Sequence, residues 1–237
     1  MNVKKFFSMI RYLFNSDVKD HGKNNAVFVI SSDGTRTSVR RVCMFGKKHS
    51  KIKFHGNNNI VELYEPLGDL RLNISVCNDT KITLMPSKYQ RVIKINGVAN
   101  LGNAVYIGQD FHTTGALHME VCHTGGDIKI GDNCLFGWNA FIRIGDGHVI
   151  FDADTKNVLN KNRDVVIGNH VWFGSEVSVA KGSVIPDDSV VGMRSLVAGR
   201  FETPNVVIAG IPARVVKNNI NWDDVPYDVY EARLQNK

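Results

Sequence analysis

Asp146-Gly147-His148 sets an imidazole two residues after a carboxylate, with a glycine between them. An imidazole titrates near neutrality, so a neutral His148 can take a proton from a hydroxyl while the Asp146 carboxylate orients it. The plainer alternative is a loop histidine, since the chain has eight. Trp172 lies 24 residues further on, and a large indole turned outward is costly unless it packs on a subunit or a ligand. His118, Glu120 and Trp138 could line a cleft for a polar substrate, or simply face solvent. Arg214 and Lys217 are cations of the kind that meet a polyanion. None of the four cysteines (Cys43, Cys77, Cys122, Cys134) adjoins a motif histidine as a thiol nucleophile would.

The elements that must position these groups are written in a repeat. From Ile167 an aliphatic residue or Phe recurs every sixth position, at Phe173, Val179, Ile185, Val191 and Val197, and in five of the six cases Gly or Ala follows. That period is neither helical nor simple strand alternation. It suits a chain that turns a corner after each short strand and stacks on its own previous turn, filling a narrow prism with apolar residues. The same phase appears at Leu101 and Ile107 and at Ile130, Phe136 and Ile142. Positions four residues into the hexads (Val105, Phe111, Cys134, Ala140, Val171, Val177, Ser183, Ser189, Ser195 and Phe201) are mostly small or β-branched, as a tight corner requires. Between Ile142 and Ile167 the register slips, and residues 145–164 read as a loop ejected from a coil, where sites tend to sit. The expected architecture is all-β. Residues 1–22 form an amphipathic helix, 23–95 irregular early coils, 96–212 the hexad core with its ejected loop, and 213–237 a C-terminal tail.

These features resemble the left-handed parallel β-helix of the hexapeptide-repeat acyltransferases, nearest to the sialic acid and capsular polysaccharide O-acetyltransferases. Asp146-Gly147-His148 resembles their Asp-Gly/Ser-His signature, and Asn169-His170-Val171-Trp172-Phe173-Gly174 their Gly-Asx-His-Val-Trp-Ile-Gly element, at the same interval. Pro204-Asn205, Ala209-Gly210 and Pro212-Ala213-Arg214-Val215 resemble their closing P-x-N…G-x-P-A-[KR]-V string, followed by Asn219 to Trp222. The resemblance implies direct acetyl transfer from acetyl-CoA to a sugar hydroxyl, without a metal. His148 is then the base, with Asp146 and Trp172 beside it. It further implies that Trp172, Gly174, Ser175, Ala180, Lys181, Ala198, Arg200, Arg214 and Lys217 contact the donor, while His118, Glu120 and Trp138 contact a glycan acceptor. Members form trimers with sites between subunits. Where relatives carry Gly-Ala-Gly-Ser and then Thr-Lys, this chain has Gly192-Met193-Arg194-Ser195 and Ala198-Gly199-Arg200, so Arg194 or Arg200 would stand in for the missing lysine.

At 237 residues and 43% hydrophobic the chain can bury one extended core. Its net charge of +6 comes from residues 1–53, which hold 12 Lys+Arg against 3 Asp+Glu. There Phe6, Phe7, Ile10, Leu13 and Phe14 fall on one side of a helix flanked by Lys4, Lys5 and Arg11, which either caps the solenoid or lies on a membrane surface. Arg36, Arg40, Arg41, Lys47, Lys48, Lys51 and Lys53 suit an acidic glycan; no recognition motif accompanies them, so nucleic acid is not expected. No sustained apolar run or cleavage site marks the N-terminus, which points to the cytoplasm or to peripheral contact with the inner membrane. His118 and His123 match the H-x-x-x-x-H of zinc hydratases on this scaffold, but Ile82 stands where the third ligand would be. An amino-sugar N-acetyltransferase and a glycan-binding or membrane-binding scaffold are the remaining alternatives.

Overall fold

A computed structural model describes residues 16–39 and 50–235, so the side chains behind the expected N-terminal helix, Cys43 and most of the basic cluster lie outside the described residues. Ser16–Asp20, inside the span expected to be helical, is a strand paired in parallel with Ser50–Phe54. Among the described residues no helix is long and apolar enough to cross a membrane.

The chain winds into a three-sided parallel β-helix whose faces are sheets of eight, eight and six strands. We number the faces by the path of one late coil: Ser178–Val179 on the first, Val184–Ile185 on the second and Val190–Val191 on the third. Each hexad supplies one short strand and one corner. The apolar residue and the residue four later both turn inward, as Ile167, Val171, Phe173, Val177 and Val179 show by their burial. Partners stack from coil to coil in columns: Ile107, Ile130, Ile167 and Ile185 on the second face, and Phe136, Phe173, Val191 and Ile208 on the third. Phe111, Phe136 and Phe173 form a continuous ring stack, with centroids 5.3 and 4.1 Å apart. Burial of these rings adds to the cohesion of the aliphatic columns, because each carries a large apolar area and a favourable ring contact.

The corners need a left-handed backbone. Asp110, Asn133, His170 and Asp188 all have φ between 50° and 56°, each at the same place where the second face turns into the third. Short polar side chains tolerate that region better than branched ones, which accounts for the run of Asp and Asn there. The adjacent residues form a side-chain ladder: the Asn169 carboxamide oxygen accepts the Asp132 N–H at 2.9 Å, and the Asp187 carboxylate accepts the Asn169 N–H at 2.7 Å. Buried corner hydroxyls are also satisfied, Ser183 Oγ donating to Val197 O at 3.0 Å.

Before Ile107 the coils are wider, with strands of up to 12 residues, and they continue the same first and second faces. At the other end Val206–Gly210 turns back through Ala213–Asn218, which pairs antiparallel and closes the third face. A nine-residue helix, Tyr227–Gln235, ends the described chain and has no buried side chain.

Candidate functional site

The ejected loop leaves where the first face turns into the second. Ile167 follows its partner Ile130 by 37 residues, whereas Ile185 follows Ile167 by 18, so the loop adds 19 residues to one coil. It is not loose at its base. Asn160 Nδ2 donates both to the Asp146 carboxylate at 2.9 Å and to the His148 carbonyl at 2.7 Å, drawing the two ends of the loop together. Lys181, from the same corner one coil later, donates to that carboxylate and to Asn160 O at 2.8 Å. With its side chain only 11% exposed, Lys181 is held as the underside of the loop. The hydrogen bonds from Lys181, and then from Asn160, hold the Asp146 carboxyl below the usual carboxylate range.

Further contacts fix the loop from the first face. His123 Nε2 donates to Gly147 O at 3.1 Å, and Arg143 pairs with Glu120 at 3.2 Å. Asn162 Nδ2 donates to Cys122 O. Cys122 is buried beneath the turn, and burial raises its thiol pKa, so it is a packed thiol. Cys134, likewise buried in a corner, is pushed up to about 12 by desolvation. Gly147 has φ 82°, a conformation that opens the turn so that His148 stands exposed at the loop surface. Asp146 therefore reaches the His148 backbone through Asn160, where the sequence suggested that the carboxylate would orient the ring.

The other expected residues fall into separate places. Glu120 and His118 lie on the outer side of the first face, with Arg143 and Phe141 as their neighbours in the next coil. Burial, and then Lys94, lower the His118 pKa, favouring the neutral ring. Trp138 stands at the opposite edge of that face, 62% exposed and packed against Gly115. Ala180, Lys181, Ala198 and Arg200 follow the first face in successive coils, on the loop's side. Trp172 is on the third face, 41% exposed, between Leu135 and Val190. Gly174 and Ser175 form the corner after it, and Arg214 and Lys217 lie in the last strand of the same face. In a three-sided prism the corner between the first and second faces is opposite the third. One chain thus places His148 and Trp172 on opposite sides.

Asn160, Arg143 and the destination of the tail carry no local signal in the sequence. Trp222 returns to the third face, its ring stacked on His170 at 4.3 Å and its Nε1 donating to His170 O at 2.8 Å. His170 Nδ1 in turn meets the Asp188 carboxylate at 2.8 Å. Trp172 lies 6.0 Å from Trp222, so two indoles and an imidazole form one aromatic surface.

A prism of hexads carrying a pinned Asp-Gly-His loop defines a class, the left-handed β-helical transferases, and comparison with known proteins agrees. No family model matches the chain. It is 31% identical over 173 residues to a putative acetyltransferase of Saccharomyces cerevisiae, covering 72% of this chain and 81% of that one. It is 32% identical over 154 residues to the polysialic acid O-acetyltransferase of Escherichia coli O1:K1, covering 60% and 49%. The crystal structure of a polysialic-acid-specific acetyltransferase superposes with TM-score 0.62 at 24% identity over 93% of this chain and 99% of that one. The chain belongs to the hexapeptide-repeat acyltransferase family, with the left-handed parallel β-helix of that family. The matched stretches span 45% to 63% of the curated glycan O-acetyltransferases that it resembles.

Proposed function

We propose that the protein is a cytoplasmic, acetyl-CoA-dependent O-acetyltransferase acting on a hydroxyl of a bacterial surface glycan, of the capsule, sialic acid or O-antigen type. The observation that carries this reading is the clamp of Asp146, Asn160 and Lys181, which holds an exposed histidine on a rigid corner. The names of the relatives, polysialic acid and galactoside O-acetyltransferases, support the reaction class.

The His148 imidazole takes the proton of the acceptor hydroxyl as its oxygen attacks the thioester carbonyl. Backbone N–H groups near Trp172 stabilise the oxyanion. The carbon–sulfur bond then breaks, the proton passes to the leaving thiolate, and acetyl ester and CoA depart. Neither a covalent acyl-enzyme nor a metal takes part. Because His148 and Trp172 lie on opposite sides of one chain, the site is completed between subunits of a homotrimer, with the loop of one beside the third face of the next. In that arrangement Arg214 and Lys217 of the third face meet the CoA phosphates, and Lys181 serves the loop.

The test is release of free thiol from acetyl-CoA by purified protein with a panel of capsule and O-antigen saccharides. Acceptor-dependent release should fall about a hundredfold or more in His148→Ala. Turnover untouched by that change would remove His148 from the mechanism. No turnover together with no binding of acetyl-CoA would overturn the reading.

A further inference from the structure

The returning tail roofs a groove of about 1000 Å³ on the third face. Its walls carry the rings of Tyr89, Trp172, Trp222, Tyr227 and Tyr230 and the imidazoles of His112 and His170, and its other polar residues are Asp110, Asn133, Asn221, Asp223 and Asp224. Among the described residues no lysine or arginine lines it. Two cations are engaged at its margin: Lys88 lies 5.1 Å over the Tyr89 ring, and Arg233 is 3.7 Å from Asp223.

We propose that this groove is a binding subsite for an uncharged sugar unit of the acceptor, an inference that rests on the reading of the protein as a glycan acetyltransferase. Three features carry it. Flat aromatic rings offer electron-rich faces to the C–H faces of a pyranose, and Trp222 is already fixed edge and face by His170, so it needs no ordering on binding. Carboxylates and carboxamides accept hydrogen bonds from sugar hydroxyls and set orientation, as the few polar groups of an otherwise apolar pocket do. The sign of the charge then selects among glycans. Asp110 and Asp224 repel a sialic or uronic acid carboxylate, and among the described residues no lysine or arginine lines the groove to offset them, Asp223 being paired with Arg233 at the margin. The described basic residues lie outside this lining, so an acidic polymer is not excluded from the molecule. It is excluded from this groove. A repeat unit with a neutral sugar next to the hydroxyl that is acetylated would satisfy both.

Tryptophan emission follows the groove, because two of the three tryptophans line it. Galactotriose and maltotriose are titrated against trisialic acid, without acetyl-CoA. At least one neutral trisaccharide should shift the emission saturably, and trisialic acid should bind at least about tenfold more weakly. Trp222→Ala should abolish the response of Trp172. Tyr227→Ala, at a side chain in a helix with nothing buried, should weaken binding about fivefold without touching the fold. Asp224→Asn should narrow the gap to trisialic acid. Trisialic acid binding as tightly as the neutral sugars, no saturable binding by any neutral sugar, or indifference to Tyr227→Ala would each overturn the proposal. Thiol release separates the two readings. Binding without acetylation of any acceptor leaves the groove and removes the transferase, whereas transfer indifferent to both aromatic changes leaves the transferase and removes the groove.

Discussion

The loop corner and the third-face groove are built from one repeat yet solve different problems. At the corner the chain adds 19 residues and then ties them down with the loop's own Asn160, with Lys181 from the corner of the next coil and with His123 from a strand of the first face. At the groove it adds nothing to a coil. It leaves the corner residues Asp110, Asn133 and His170 where the hexads put them and brings the tail back over them. A reactive group needs its position held within a few tenths of an ångström, and a dense set of charge-assisted bonds does that. A surface for a hydroxyl-rich ligand needs area and a few acceptors, and stacked rings give it. The lesson is that a rigid solenoid can carry a tightly pinned loop and a broad aromatic surface on opposite sides.

That contrast can be broken at three strengths. The common support is the ring stack, so Phe173→Ala should destabilise the protein by about 3–5 kcal/mol in denaturant unfolding and disturb both regions together. A cost below about 1 kcal/mol would show that the prism does not depend on that ring. Next, Lys181→Met should lower kcat about tenfold while leaving acetyl-CoA affinity and the unfolding midpoint nearly unchanged, because it frees the loop without opening the core. If acetyl-CoA affinity falls instead and kcat holds, the lysine serves the donor and not the clamp. The smallest effect concerns pH. His118 has its pKa lowered in the folded protein by burial and then by Lys94, so the unfolded chain takes up the proton more readily. Its contribution to stability is therefore present above the ordinary value of about 6.5 and is lost as pH falls through the lower folded value. Unfolding midpoints between pH 7 and 5 should drop slightly in the wild type and less so in His118→Gln. The Asp146 carboxyl, held low by Lys181, has the same sign at a more acid range: the clamp persists above the ordinary carboxylate pKa and loosens as pH falls through the depressed one.

Much of the architecture was legible because a hexad repeat specifies inward and outward positions one after another. Ile167 to Val197 announced both the apolar columns and the corner serines, and the slip before Ile167 announced the loop. The boundaries were less so. Ser16–Asp20 has no hexad to mark it and takes its strand from pairing with residues 34 positions away. The nine-residue terminal helix likewise follows no repeat. At the site, Asp146, His148 and Trp172 were visible as a motif, but their partners were not. Asn160 reaches back 14 residues and Lys181 reaches 35, distances that no local pattern encodes. Trp222 could be seen as a tail residue. Its place on His170, 52 residues away, follows only from the antiparallel turn that sends the chain back over the third face.

The most direct test of the account mixes two inactive chains. His148→Ala supplies an intact third face, Trp172→Ala an intact loop, and each alone should turn over acetyl-CoA poorly. If the site is shared between subunits, equal amounts of the two, unfolded and reassembled together, should recover about a quarter of wild-type turnover, the share of interfaces at which an intact His148 faces an intact Trp172. Turnover no greater than the average of the two parents would show that the histidine and the tryptophan do not meet across subunits.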